Sequence, residues 1–197
     1  MDERLKKQLD FALEIDKEKN IFRQTHLSCH GRNENDAEHA WHMAIMAYLL
    51  KEYSNEPVDI GKVMLMCLIH DIVEIDAGDT YAYDEEAKKT QRERELAAAD
   101  RIFGLLPQDQ AEYMRGLWDE FEERRTPEAK FARTLDNVQP VMLNSASCGK
   151  SWQEKGVHLS QILKRNEHTM DGSEELWNYA FDNYIKPNVD AGKIKKD

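Results

Sequence analysis

A histidine–aspartate pair, His70-Asp71, closes an apolar stretch, and a single acid-flanked histidine, His39, precedes it in Asn35-Asp36-Ala37-Glu38-His39-Ala40-Trp41. A later aspartate, Asp136, sits in Ala132-Arg133-Thr134-Leu135-Asp136-Asn137. Two imidazoles and two carboxylates make a mixed nitrogen and oxygen donor set suited to one divalent cation with positions left over for water and substrate. A His-Asp pair at the end of a buried helix costs free energy unless it is partnered, and a cation is such a partner. His42, one turn beyond His39, is a rival ligand, and the acidic segment before His39 favours His39. Asp136 lies one position off the apolar stripe Phe131, Leu135, Val138 and Met142, at its inward margin.

An open metal site polarises a phosphoryl oxygen and activates water, and hydrolysis then needs a group that positions or deprotonates that water and returns a proton to the leaving alcohol. Glu74 stands three residues after Asp71 and one helical turn from His70, so its carboxylate can face the same cavity. Trp41, Trp118 and Trp177 read as core residues. Trp152, in a looser segment from Lys150 to Gly156, is the candidate for stacking on a base.

Helices must position these groups, because strand signals are nearly absent. Apolar residues recur at three- and four-residue spacing through segments separated by Gly, Pro or polar clusters. Leu5, Leu9, Ala12 and Leu13 suit an opening helix, and Ala40, Met43, Ala44, Ala47, Tyr48 and Leu50 a second. A third runs from about Asp59 to Glu74, apolar on nearly every side in its middle, hence central and buried. A non-helical stretch follows around Ala77 to Tyr81, then helices near 85–103 and 108–123. Thr126-Pro127-Glu128 gives an N-cap and a first-turn proline for the helix that carries Asp136. Two more helices, near 157–166 and after Asp171-Gly172-Ser173, complete one all-α domain over residues 1–197.

Composition narrows the partners. The formal net charge of −11 disfavours a polyanion such as duplex DNA, and the basic runs at Lys88-Lys89 and Lys193 to Lys196 are short. No apolar run reaches the length of a membrane span, and the charged N-terminus lacks the apolar core of a secretory signal. Three widely spaced cysteines, Cys29, Cys67 and Cys148, build neither a disulfide framework nor a metal knuckle, which points to a reducing cytoplasm.

The ordered set Ala37-Glu38-His39 with Trp41, Leu68-Ile69-His70-Asp71 with Glu74, Gly78-Asp79-Thr80, Thr126-Pro127-Glu128-Ala129 and Leu135-Asp136 resembles the HD-domain phosphohydrolases, and within them the 5′-deoxynucleotidase branch. The motifs span about 20–140, and Gly149-Lys150-Ser151-Trp152 is similar to a later segment of the family. The resemblance implies a compact helical bundle holding one divalent ion, Mn²⁺, Co²⁺ or Mg²⁺, through His39, His70, Asp71 and Asp136. It implies Glu74 as the acid–base group with Asp79 as helper, the two roles being exchangeable. It also implies Arg23 as the phosphate-gripping guanidinium. The matching enzymes carry an aromatic residue after that arginine, whereas Gln24 stands here as the neighbouring substrate contact.

HD proteins with two metals carry further histidines between the His-Asp pair and the last aspartate; the interval from Asp71 to Asp136 contains none, so a mononuclear site is expected. The expected reaction is removal of the 5′-phosphate from a deoxynucleoside 5′-monophosphate, with a homodimer as the expected assembly. The alternatives are a nucleoside triphosphate or alarmone hydrolase, which needs more basic residues than Arg23 alone, and a non-catalytic metal-stabilised adaptor, which has no use for Glu74.

Overall fold

The computed structural model describes residues 2–28, 31–79 and 88–197. Helix α1 (Glu3–Glu14) leads through a 3-10 turn into an antiparallel hairpin, β1 (Phe22–His26) and β2 (Asn33–Asn35). Then come α2 (Asp36–Leu50), α3 (Ile60–Ile69), α4 (Glu74–Ala77), α5 (Lys88–Phe103), α6 (Gln108–Glu123) and α7 (Pro127–Ala146). Shorter segments close the chain: α8 (Lys150–Lys155), α9 (Leu159–Arg165), a 3-10 turn (Thr169–Asp171), α10 (Glu174–Ala180), a π turn, and α11 (Lys186–Asp190). The architecture is helical, as expected. The hairpin was not foreseen, because Arg-Gln-Thr-His and Asn-Glu-Asn are short and polar and carry no apolar alternation.

The core gathers where α2, α3 and α7 pack together, with α6 against α7. Met43, Val63, Met66, Phe121, Phe131 and Leu135 are all buried there. Full burial of each such side chain contributes roughly 1.5–3 kcal/mol. The same cluster runs from Phe11 to Ile194. Caps fix the helices that matter. Asn35 accepts from Glu38 N while Glu38 accepts from Asn35 N, a closed box that sets His39 in the first turn of α2. Thr126 accepts from Ala129 N, with Pro127 opening α7.

Three expectations about these elements change. The helix expected from Asp59 to Glu74 breaks after Ile69, where bonds tighten to three-residue spacing (Glu74 N to Asp71 O at 2.8 Å) before α4 resumes. Trp41 is 63% exposed rather than core, because Ala40, Met43, Ala44 and Ala47 point inward and Trp41 falls one position round the helix. Leu5, Leu9 and Leu13 are also exposed, Phe11 being the residue of α1 that enters the core. The segment of Thr80 and Tyr81, and the start of the helix expected from Glu85, lie outside the described residues.

Candidate metal centre

Two imidazoles from different helices present the same edge to one carboxylate. His39 Nε2 lies 3.1 Å from Asp136 Oδ1, and His70 Nε2 lies 3.7 Å from the same oxygen. Their tautomers are fixed from behind. His70 Nδ1 lies 2.9 Å from the Cys67 carbonyl, which can only accept, so Nδ1 carries the proton. His39 Nδ1 meets Gln139 Oε1 at 3.0 Å, and the Gln139 amide is oriented by its own Nε2, which donates to Glu34 at 2.7 Å. Nε2 is therefore the nitrogen each ring can turn to a cation as a lone-pair donor once it has lost its proton, and His70 Nε2 has no hydrogen-bond partner. Metal-ligating histidines are held this way, with the second nitrogen tied to a carbonyl or carboxylate.

The electrostatics point the same way. Burial opposes charge on His70, but Asp71 and Asp136 push it up to about 10. Burial and Arg23 work against a charge on His39, yet Asp136 and Glu34 hold it above the ordinary histidine value. Burial alone would raise Asp136, but its hydrogen bond to His39 and the nearby His70 and Arg133 hold it well below the carboxylate range. The centre attracts positive charge at Nε2, whether as a proton or as a metal. Among the described residues, His39, His70 and Asp136 form a group whose ligand atoms all lie within 4.8 Å of one another, so the donor set fits one ion.

Asp71 stands beside this trio rather than inside it. Its Oδ2 is 3.1 Å from His70 Nε2 and accepts from Arg23 NH1 at 2.6 Å. Burial would raise its pKa, but His70 and Arg23 keep it well below the usual range. Arg23 also reaches Asp36 Oδ1 at 3.3 Å, and its Nε is buried without a partner. That unused donor leaves the guanidinium capacity for another anion.

Glu74 is pushed well above the ordinary carboxyl value, first by burial and then by Asp71 and Asp36, with Arg23 offsetting only part. Its Oε2 has no partner. Asp36 is itself raised to about 7 by burial and Asp71, and Glu18 to about 8 by burial and Asp71. Asp79 is raised too, by burial. These acids oppose one another's ionisation, so some of them stay neutral.

Several of these residues line a cleft of about 340 Å³. Its wall takes in Arg23, Gln24, His70, Asp71, Glu74, Asp79 and Asp136, while His39 lies fully buried behind Asp136. Gln24 reaches the cleft on β1, and its carbonyl accepts from Ser151 Oγ at 2.8 Å. His42 is turned away, its Nδ1 3.1 Å from Gln139 Nε2. Trp152 sits in helix α8 rather than a loose segment and is buried at the cleft wall; Trp118 lines it too, its Nε1 donating to His70 O at 3.1 Å.

Several contributors escaped the sequence reading. Glu34 and Gln139 orient His39, and Asp36 and Glu18 set the charge behind the acids. Arg124, Arg133 and Arg165 add three guanidiniums to the wall. Gln139, one turn after Asp136 on α7, carried a readable signal in its spacing. The others depend on chain segments that only the fold brings together.

Similarity to known proteins follows the same residues. A solved protein named a predicted metal-dependent phosphohydrolase, from Magnetospirillum magnetotacticum MS-1, superposes with a TM-score of 0.92 at 48% identity, covering 97% of this chain and 95% of that one. The human 5′-deoxynucleotidase HDDC2 is 31% identical over 111 residues, 56% of this chain and 53% of that protein. The 5′-deoxynucleotidase hdd1 of Schizosaccharomyces pombe is 26% identical over 112 residues, 55% of each. The chain thus spans about half the length of the curated relatives it matches. The family model described as HD domain matches residues 15–177, which takes in the hairpin arginine, both histidines and all the acids above, and so the chain belongs to the HD-domain family.

Proposed function

We propose that this chain is a metal-dependent phosphoric monoester hydrolase that removes the 5′-phosphate from deoxynucleoside 5′-monophosphates. The observation that carries the reading is the convergence of His39, His70 and Asp136 on one point, beside a buried acid, Glu74, and an arginine with an unused donor. The similarity to proteins named 5′-deoxynucleotidase and metal-dependent phosphohydrolase supports it.

His39, His70, Asp71 and Asp136 would hold one divalent ion, Mn²⁺, Co²⁺ or Mg²⁺. When bound, the ion supplies Lewis acidity toward a phosphoryl oxygen and lowers the pKa of a water. Arg23 grips the phosphate oxygens through its free donors. Glu74, neutral at the start, has a proton to give to the 5′-oxygen as the ester bond breaks; Asp79 orients water or the sugar hydroxyl. Gln24 contacts the sugar or base, and Trp152 and Trp118 wall the cleft on its apolar side.

The test is phosphate release from ribo- and deoxynucleoside mono-, di- and triphosphates in Mn²⁺, Co²⁺ or Mg²⁺ after chelation. Release from deoxynucleoside monophosphates that returns with the ion is the expected result. Release from no nucleotide with any ion rejects the reading in favour of a binding adaptor.

We also place the chain as one HD domain over residues 1–197, in the cytoplasm, where the buried free thiol of Cys67 fits a reducing setting. Self-association as a homodimer is supported by Trp41, Ile45, Tyr48 and Leu49, all exposed and recurring along one face of α2. Light scattering should give twice the chain mass, and Trp41→Glu with Ile45→Glu should give the single mass; a monomeric parent chain rejects the dimer.

A further inference from the structure

The cleft wall carries four arginines, and they sit in two places. Arg23 is committed to Asp71 and Asp36. Arg133 approaches Asp136 from its other oxygen, NH1 to Oδ2 at 2.9 Å, and reaches Glu122 through NH2, also at 2.9 Å. Arg165 NH2 lies 3.8 Å from the same Asp136 Oδ2, with its side chain 37% exposed. Arg124, at the end of α6, lines the same wall and has no carboxylate within ion-pair distance among the described residues.

Arg124 is also held in an uncommon backbone state. Its φ is 56°, in the left-handed region that non-glycine residues seldom adopt. Repulsion from Arg133, then burial and Arg165, lowers its pKa below the usual arginine value. Among the described residues, the carboxylates within ion-pair distance of these three guanidiniums are Glu122 and Asp136, and Glu122 also meets Arg92 at 3.5 Å. Arg133 Nε is buried without a partner, so donors remain at Arg124 and Arg133 beyond those pairs. Clustered arginines with a surplus of donors match phosphate oxygens.

We propose that Arg124, Arg133 and Arg165 form a second anion subsite, and that the preferred ligand of this cleft is a nucleotide carrying a second phosphate besides the 5′-phosphate that is removed. This rests on the hydrolase reading above and narrows its substrate class. The reaction is unchanged: water adds to the 5′-phosphorus, the bond to the 5′-oxygen breaks, and that oxygen takes up a proton. The trio binds the second phosphate, which stays on the nucleoside product of a 3′,5′-bisphosphate and leaves as part of pyrophosphate from a 5′-diphosphate.

The experiment compares kcat/KM for a deoxynucleoside 3′,5′-bisphosphate, a 5′-diphosphate and a 5′-monophosphate in the metal-loaded chain and in Arg124→Gln. In the parent, at least one doubly phosphorylated substrate should exceed the monophosphate by about tenfold or more, the worth of one charge-assisted hydrogen bond. Arg124→Gln should cut that ratio by about tenfold, and Arg124→Lys should restore part of it. The 3′,5′-bisphosphate and 5′-diphosphate arms tell where the second phosphate sits. A parent ratio near one, or a ratio that Arg124→Gln leaves in place, overturns the subsite. If no nucleotide releases phosphate, the hydrolase reading falls by itself. Calorimetric binding of the same ligands then decides the subsite, equal affinities for one and two phosphates overturning it. Arg165→Gln, at a partly exposed side chain, repeats the comparison should Arg124→Gln fold poorly.

Discussion

Asp136→Asn should leave the chain without a bound ion and bring phosphate release to background, while the helical fold persists. The substitution keeps the volume of the side chain and removes its charge at the one place where His39, His70 and Arg133 converge. Two Nε2 lone pairs would then face a neutral amide, which gives a divalent ion one anionic donor less. Metal content measured after dialysis reads the loss directly. Stability gives an independent reading. An ion present at 100 times its Kd adds about 2.7 kcal/mol to the folded state, and so raises the melting temperature of the parent. In Asp136→Asn that rise should vanish. Removing one partner from a buried ion cluster also costs about 3–5 kcal/mol, so the variant should melt below the chelated parent. His39→Asn, which spares Arg133 and Arg165, serves as the second variant. An ion retained in stoichiometric amount by both would remove the proposed centre.

How much of this was legible beforehand differs from residue to residue. His39, His70 and Asp136 could be read from an acidic segment, an apolar run and a proline start, in an ordered motif set that resembles the HD-domain phosphohydrolases, and the structure brings the three together. Periodicity carries that kind of information well. The break after Ile69 could not be read, since His70, Asp71 and Glu74 have the same spacing in a continuous helix as in the observed turn. The hairpin was hidden because its strands are polar on both faces, yet it is what delivers Arg23 and Gln24 to the cleft. The basic wall was hidden for another reason. Arg124, Arg133 and Arg165 belong to three helices or helix ends, and nothing in their local sequence separates them from surface arginines. The single-arginine count that weighed against larger phosphorylated ligands was a count along the chain, and the fold makes it four around one cavity. Trp41 failed in the opposite direction: a large aromatic reads as core, but the register of α2 was already set by small residues and Met43.

Glu74→Gln should retain the ion and lose about 10²–10⁴-fold in kcat, the usual worth of a positioned acid–base group. The amide preserves shape and most hydrogen-bonding capacity, so a residue with only a packing role would lose little. The pH profile makes the distinction sharper. Burial, Asp71 and Asp36 hold Glu74 protonated well above the ordinary carboxyl range. A rate that needs this proton is steady below the raised value and falls as pH climbs through it. The parent profile should therefore show an alkaline limb, and the residual activity of Glu74→Gln should lack it. Stability of the chelated chain should change in the same sense. A carboxyl whose folded pKa lies above its unfolded value stabilises the fold at low pH, and that contribution is lost as pH rises through the folded value. Glu18, raised to about 8, and Asp36, raised to about 7, add to the same slope. The parent without metal should accordingly melt at lower temperature as pH goes from 5 to 8 (about the range between the ordinary carboxyl pKa and these raised values), and Glu74→Gln should show a shallower decline. A bound ion near Asp71 would draw Glu74 downward and shift the alkaline limb with it. An alkaline limb that persists unchanged in Glu74→Gln, together with near-parental kcat, assigns the proton to another group, and Asp79 is then the first to test.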